Sequence, residues 1–327
     1  MCGIAGIIYR QPELYKNLGI DLLQLIQPLE TRGPDSCGVG IYSNSVSHNV
    51  KILLFATEQV AWEEVKKWLQ NQVQVIKFDV IGSGRRIIID TTNQALDLAE
   101  FKHHLATHFP QIHLMSIGHL LEIYKEVGTA ENLFQKYQLK DFSGSHGIGH
   151  TRMATESVVD TYHSHPFTSA PDLCLVHNGQ ISNYYKLRFF LEKKSIEFET
   201  NNDSEAIAHY IRYQLLQGFS LEQALQNLLN DIDGTYTFLV ATSDKIALVR
   251  DKFAAKPAVI YETPEMIAIA SEYRCFLSLP HYNPNAKISE PDAGEIKIWS
   301  TNNTQQRTFS NQRDSVLTLG SWLIANS

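Results

Sequence analysis

MCGIAGIIYR, residues 1–10, places a cysteine second in a chain that holds only three others, Cys37, Cys174 and Cys275. The stretch is apolar and punctuated by Gly3 and Gly6, which reads as a strand, and as part of that strand Cys2 is simply a small apolar residue beside Ile4. Chain processing supplies a second reading. Methionine before a small residue is routinely trimmed, so a mature chain beginning at Cys2 would carry a thiol and a free α-amine on one residue. A nucleophile and its base would then share one carbon skeleton.

Working outward, composition bounds what such a nucleophile could serve. The chain has 327 residues, 43% of them hydrophobic and 19% charged, which suits a soluble protein of two domains or of one large domain with an insertion. A formal net charge of -7, with no long basic block, argues against nucleic acid or an anionic membrane as partner and leaves small molecules and proteins. No run approaches the length of a membrane span, and no basic segment precedes the N-terminal apolar run, so a cytoplasmic protein without a signal peptide is expected. The four cysteines are widely separated and make no CxxC pair, as for buried thiols in a reducing compartment.

Two stretches dense in Gly, His, Asn and Thr flank a plainer middle. The first is TRGPDSCGVGIYS, residues 31 to 43; the second starts at GIGHTRMATES, residues 147 to 157, and runs on through LVHNGQISNYY and NNDSEAIAHYI. Between them the pattern predicts strands over 51–56, 73–81, 85–90 and 111–117 and helices over 62–70 and 94–107, a β-α-β-β-α-β order matching the ferredoxin-like split unit. Two short helices around 119 to 137 are expected to lead back. The flanks read as short apolar strands with helices at 18–30, 182–194, 203–217 and 220–230, an α+β layered architecture. The expected organisation is a core of residues 1–48 and 141–295, an inserted subdomain of residues 49–140, and a C-terminal extension, residues 296–327.

MCGIAG, RGPDSCGVG, GHTRMAT, HNGQISN and NDSE follow one another in that order on the two flanks and are absent from the middle. Together they resemble the class II, N-terminal-nucleophile glutamine amidotransferases. The long insertion between the second and third motifs is most similar to the amidotransferase subunit of N-methylglutamate synthase and archaeal-type glutamate synthase. The resemblance implies a four-layer α-β-β-α N-terminal-nucleophile hydrolase sandwich. It also implies a glutaminase in which Cys2 attacks the side-chain amide of glutamine and Asn178 and Gly179 supply the oxyanion donors. Arg152 would hold the substrate carboxylate and Asp203 its ammonium, with Thr155 and His177 completing the pocket and Arg32 on a loop that closes over glutamine. No cofactor of the chain's own is implied. The ammonia acceptor is expected on a separate synthase subunit, of a flavin and iron-sulfur type, because the residues after 290 hold no acceptor domain.

Each of these residues also has a plain role. Asn178-Gly179 alone would be a tight turn, Asp203 a helix N-cap, His177 a structural histidine and Arg32 a solvated side chain at a Gly-Pro turn. His163 and His165 alternate on one face but lack a third ligand, so no metal site is expected. Gly82-Ser83-Gly84 before Arg85 and Arg86 reads as a hairpin turn rather than a phosphate loop. At residues 253–255 Phe-Ala-Ala stands where the related domains carry a glycine, which leaves the loop's shape open. Two other functions remain compatible with the residues: hydrolysis of a different γ-glutamyl amide, and a non-catalytic regulatory subunit.

Overall fold

The computed structural model describes residues 2–43, 49–93, 95–154 and 159–301. Gly3–Tyr9 is buried along its whole length because it lies inside a sheet, between Gly144–Arg152 and Met266–Ala270. That seven-stranded sheet runs Lys287–Ser289, Val259–Glu262, Met266–Ala270, Gly3–Tyr9, Gly144–Arg152, Ser36–Ser43, Leu121–Val127, antiparallel at every pairing. A five-stranded antiparallel sheet runs Ile296–Ser300, Lys245–Arg250, Gly234–Ala241, Leu173–Ile181, Phe167–Ala170.

Strand alternation assigns the faces. Ile4, Ile8 and Ile148 from the first sheet meet Val176, Leu239 and Leu248 from the second in one buried layer. The intervening residues point outward. Ala5, Ile7 and Val39 pack under the helix Leu18–Ile26, and Leu175, Phe238 and Val249 pack under the helices Asp203–Leu216 and Leu221–Asp231. The last of these helices starts with a reciprocal Ser220/Gln223 capping box.

A third sheet of four antiparallel strands contains Asn49–Ala56, Gln74–Ile81, Gly84–Asp90 and Ile112–Gly118, in the spatial order second, third, first, fourth. The helices Trp62–Gln72 and Leu98–His108 cover one face, burying Val65, Leu69, Phe101 and Leu105. Leu53, Phe55, Ile81 and Met115 on the other face pack toward Tyr124 and Tyr137 of the main body. Gly82, at φ +52°, begins the two-residue turn between the second and third strands.

The structure differs from expectation at the seams. Residues 119–137 are not two helices: Leu121–Val127 is the outer strand of the seven-stranded sheet, followed by the helix Ala130–Lys136. Leu121 and Ile123 enter the layer between the sheets while Tyr124 turns to the opposite face, a period of two that the charges of LEIYKEV disguise. The four-stranded unit therefore ends at Gly118 rather than near 140. Ile296–Ser300, expected as extension, pairs with Lys245–Arg250, and the expected extension from residue 302 onward lies outside the described residues.

The loop left open at residues 253–255 also has a definite shape. Ala254 adopts φ +52°, a left-handed conformation that costs a residue with a Cβ about 1–2 kcal/mol. The buried Asp251 carboxylate imposes it by accepting from Tyr236 N at 3.0 Å, Phe253 N at 2.7 Å and Ala255 N at 3.2 Å. Ala254→Gly is therefore expected to raise unfolding stability by about 1 kcal/mol, measured by denaturant titration. A neutral or negative change would show that the loop relaxes the strain by another route.

Candidate active site

Alternation carries three of the expected residues to one end of the layer between the sheets. Cys2 precedes the Gly3–Thr151 pair and is in phase with Ile4 and Ile8; it is half-buried, with Sγ 3.9 Å from the Met153 carbonyl. Arg152, 4% exposed, follows Ile148 and His150 on the adjacent strand. From the other sheet, Asn178 continues the face of Cys174 and Val176.

Asn178 is 3% exposed, and its Nδ2 has no hydrogen-bond partner among the described residues. A buried donor left unpaired costs about 1–3 kcal/mol, so its retention calls for an acceptor that arrives later. Gly179 beside it adopts φ +142°, and a Cβ there would lie 2.1 Å from the Thr235 carbonyl oxygen. No other residue fits this backbone. The Asn-Gly pair is thus inside a strand paired with Gly234–Ala241 and is not the turn it could have been.

Asp203 is the first residue of its helix, and Asn202 is the N-cap, its side chain accepting from Ser204 N. This releases the Asp203 carboxylate from capping. Its Oδ2 accepts from Ile181 N at 3.0 Å, while Oδ1 lies 3.3 Å from Ser204 Oγ and 3.4 Å from His177 Nδ1. Burial alone would push the carboxyl up. His177, the Ser204 hydroxyl and the Ile181 N–H together hold it below its ordinary value, an anion suited to a cationic partner.

Ser204, fully buried, lies at the centre of a histidine cluster, 2.8 Å from His165 Nε2 and 2.9 Å from His177 Nδ1. With its one proton donated to Asp203, the hydroxyl accepts from both rings, which fixes the protonated nitrogen of each. His150 Nε2 faces the His177 carbonyl at 3.0 Å and must be its donor, bridging the two sheets beside Asn178. Burial lowers His150 to about 3 and, with its charged neighbours, holds His165 well below the usual histidine value, so both stay neutral. His177 alternates with Asn178 and faces Ser204 rather than the layer holding Cys2.

Arg32 donates through Nε to the Cys2 carbonyl at 3.1 Å and through a terminal nitrogen to Glu272 at 2.9 Å, bracing the Cys2 peptide. The neighbouring loop is stitched to the strand end at Arg152: Asp35 N donates to the Arg152 carbonyl at 3.0 Å, and Ala154 N donates to the Asp35 carboxylate at 2.7 Å. His163 binds Asp160 whereas His165 binds Ser204, so these two imidazoles serve different partners. Thr155 lies outside the described residues. Ser204, His150 and Glu272 were not singled out from sequence. The first two lie inside recognised motifs, while nothing local marks Glu272 as a partner of Arg32, which is 240 positions away.

Comparison with known proteins bears on this arrangement. Residues 150–278 match the family described as glutamine amidotransferase domain. The chain is 37% identical over 305 residues to the glutamine amidotransferase-like protein GlxB of Rhizobium meliloti (strain 1021), covering 91% of this chain and 98% of the relative. It is 34% identical over 185 residues to a glutamine–fructose-6-phosphate aminotransferase (isomerizing) of Thermococcus kodakarensis, covering 55% of this chain and 29% of that one. Among solved structures, the allosteric regulatory enzyme of purine biosynthesis superposes with a TM-score of 0.57 at 20% identity, over 91% of this chain and 47% of the other, a likeness of fold.

Proposed function

The chain belongs to the class II glutamine amidotransferase family, and from that premise we propose that it releases ammonia from glutamine through a Cys2 thioester. One observation carries the reading: a buried Asn178 Nδ2 without a partner among the described residues, on the face directed at the layer where Cys2 lies. In the proposed reaction the α-amine of a mature Cys2 takes the thiol proton as sulfur attacks the amide carbon. The oxyanion lodges against Asn178 Nδ2 and Gly179 N–H. When the C–N bond breaks, the same proton goes to the leaving nitrogen, giving ammonia and a γ-glutamyl thioester, which water hydrolyses to glutamate and free thiol. Arg152 would pair with the substrate carboxylate and Asp203 with its ammonium, Thr155 and His177 supporting the head group and Arg32 holding the Cys2 peptide.

The same proposal extends to architecture and partner. The two sheets with their outer helices are read as the four-layer hydrolase sandwich, and residues 49–118 as a ferredoxin-like insertion, on the strength of their strand order. The motif order and long insertion favour a separate synthase subunit of glutamate synthase or N-methylglutamate synthase type as ammonia acceptor. Intact mass measurement after treatment with an electrophilic glutamine analogue tests the chemistry: loss of Met1 and a single adduct on Cys2 are expected. An adduct on Cys37, Cys174 or Cys275, or full activity with Met1 retained, overturns it. Ammonia release with and without the co-expressed synthase tests the partner, and equal rates would count against coupling.

A further inference from the structure

Gln74–Ile81 is an outer strand of the four-stranded sheet: Gly84–Asp90 pairs with one side, and among the described residues no strand pairs with the other. Its sequence is QVIKFDVI, with Ile76 45% and Val80 71% exposed. The register with Gly84–Asp90 shifts between Val75 and Lys77, leaving Ile76 outside that ladder. An open strand edge with exposed apolar side chains is a template for further pairing. A lone lysine on such an edge guards against pairing, but Asp79 stands two places from Lys77 and changes the consequence.

Around Phe78 the segment is self-complementary. If two copies run antiparallel about an axis at Phe78, Lys77 of each faces Asp79 of the other, and the extra residue at Ile76 ends the regular alternation on either side of these pairs. Directly opposite residues share a sheet face, so the two symmetry-related ion pairs form on one face. Neighbouring symmetric registers fail: an axis at Lys77 sets two lysines opposite each other, and an axis at Asp79 sets two aspartates opposite each other. A segment whose charge order reads as its own complement fits a second copy of itself, in the isologous contact of a twofold dimer.

We propose that this edge joins two copies of the chain, antiparallel about Phe78, into one continuous sheet. The contact lies on the four-stranded unit, away from Cys2, and does not depend on the catalytic reading. Sedimentation of the full chain tests it, comparing the parent with Lys77→Glu, Asp79→Lys and the double charge swap. The parent is expected to dimerise in the micromolar range. Each single variant places like charges at two symmetric contacts and should weaken the dimer about tenfold or more. The double variant should return to within about threefold of the parent, since the exchanged charges again face their opposites across the axis and restore both pairs. Because Asp79 also stands opposite Arg86 in the sheet, amide exchange across Gln74–Ile81 provides a second readout. It should slow with rising concentration in the parent and not in Lys77→Glu. A monomeric parent, single variants that dimerise as the parent does, or exchange independent of concentration would each overturn the proposal.

Discussion

Asn178→Ala is expected to lower kcat about 100- to 1000-fold while leaving the apparent affinity for glutamine nearly unchanged, as for loss of one oxyanion donor. The reason is that Asn178 Nδ2 has no partner among the described residues and so no bond there to lose, and in the proposed reaction its contribution would arise as charge develops on the substrate oxygen. Truncation should for the same reason leave stability equal or slightly higher, since an unpaired buried donor is removed. Arg152→Ala and Asp203→Ala should behave differently, raising KM, because contacts to a head group exist before and during reaction. Steady-state kinetics on purified chain, with or without its synthase, separates the two patterns. Normal kcat in the Asn178 variant would remove the oxyanion assignment, and unchanged KM in both clamp variants would remove the clamp.

The separation is sharper than motif matching alone would give, because the structure assigns distinct faces to adjacent residues. His177 and Asn178 are neighbours in sequence, yet one binds Ser204 and the other faces the layer between the sheets. A strand's period of two is legible in LCLVHNG, and with Cys174 and Val176 known to be inside it would place Asn178. Which face is inside is a tertiary fact. Nothing local states that Cys174 and Val176 pack against Ile4 and Ile148 rather than against the helices.

The same distinction explains what the sequence hid elsewhere. MCGIAGIIY and MIAIAS are apolar on both faces because their strands lie inside a sheet, and they read easily as strands. LEIYKEV does not, since Glu122 and Lys125 interrupt it in a helix-like spacing and their partners come from distant segments, Arg86 and Lys51 for Glu122 and the Tyr162 carbonyl for Lys125. Short outer strands such as Phe167–Ala170 and Lys287–Ser289 carry too few residues to show a period. Ser204 was legible only as part of a block, because its role depends on two histidines, 27 and 39 positions away, brought to it by sheet packing.

Glu122, misread as helical, is where the largest stability effect is expected. Its carboxylate, 1% exposed, lies on the seven-stranded sheet and receives Arg86 from the four-stranded unit at 2.6 and 2.9 Å, with Lys51 of that unit at 3.4 Å. Tyr124 OH and Ser43 Oγ donate to it as well, at 2.8 and 3.0 Å. Burial would push this carboxyl up, but Arg86 above all, then Lys51 and Tyr124, hold it below its ordinary value. A buried ion pair adds little over a well-packed apolar one, yet removing one partner leaves the others charged and uncompensated. Glu122→Ala is accordingly expected to cost about 3–5 kcal/mol of unfolding free energy at neutral pH. Because the folded pKa is depressed, the stabilisation is complete above the ordinary carboxylate value and is lost as pH falls through the folded value. The gap between parent and variant should therefore narrow in acid. Denaturant unfolding across pH measures it, and amide exchange should report the earliest opening where Asn49–Ala56 and Gly84–Asp90 meet Leu121–Val127. A loss under about 1 kcal/mol, or one that does not change with pH, would mean that the apolar contacts of Leu53, Phe55 and Met115 hold the two bodies together without the ion pair.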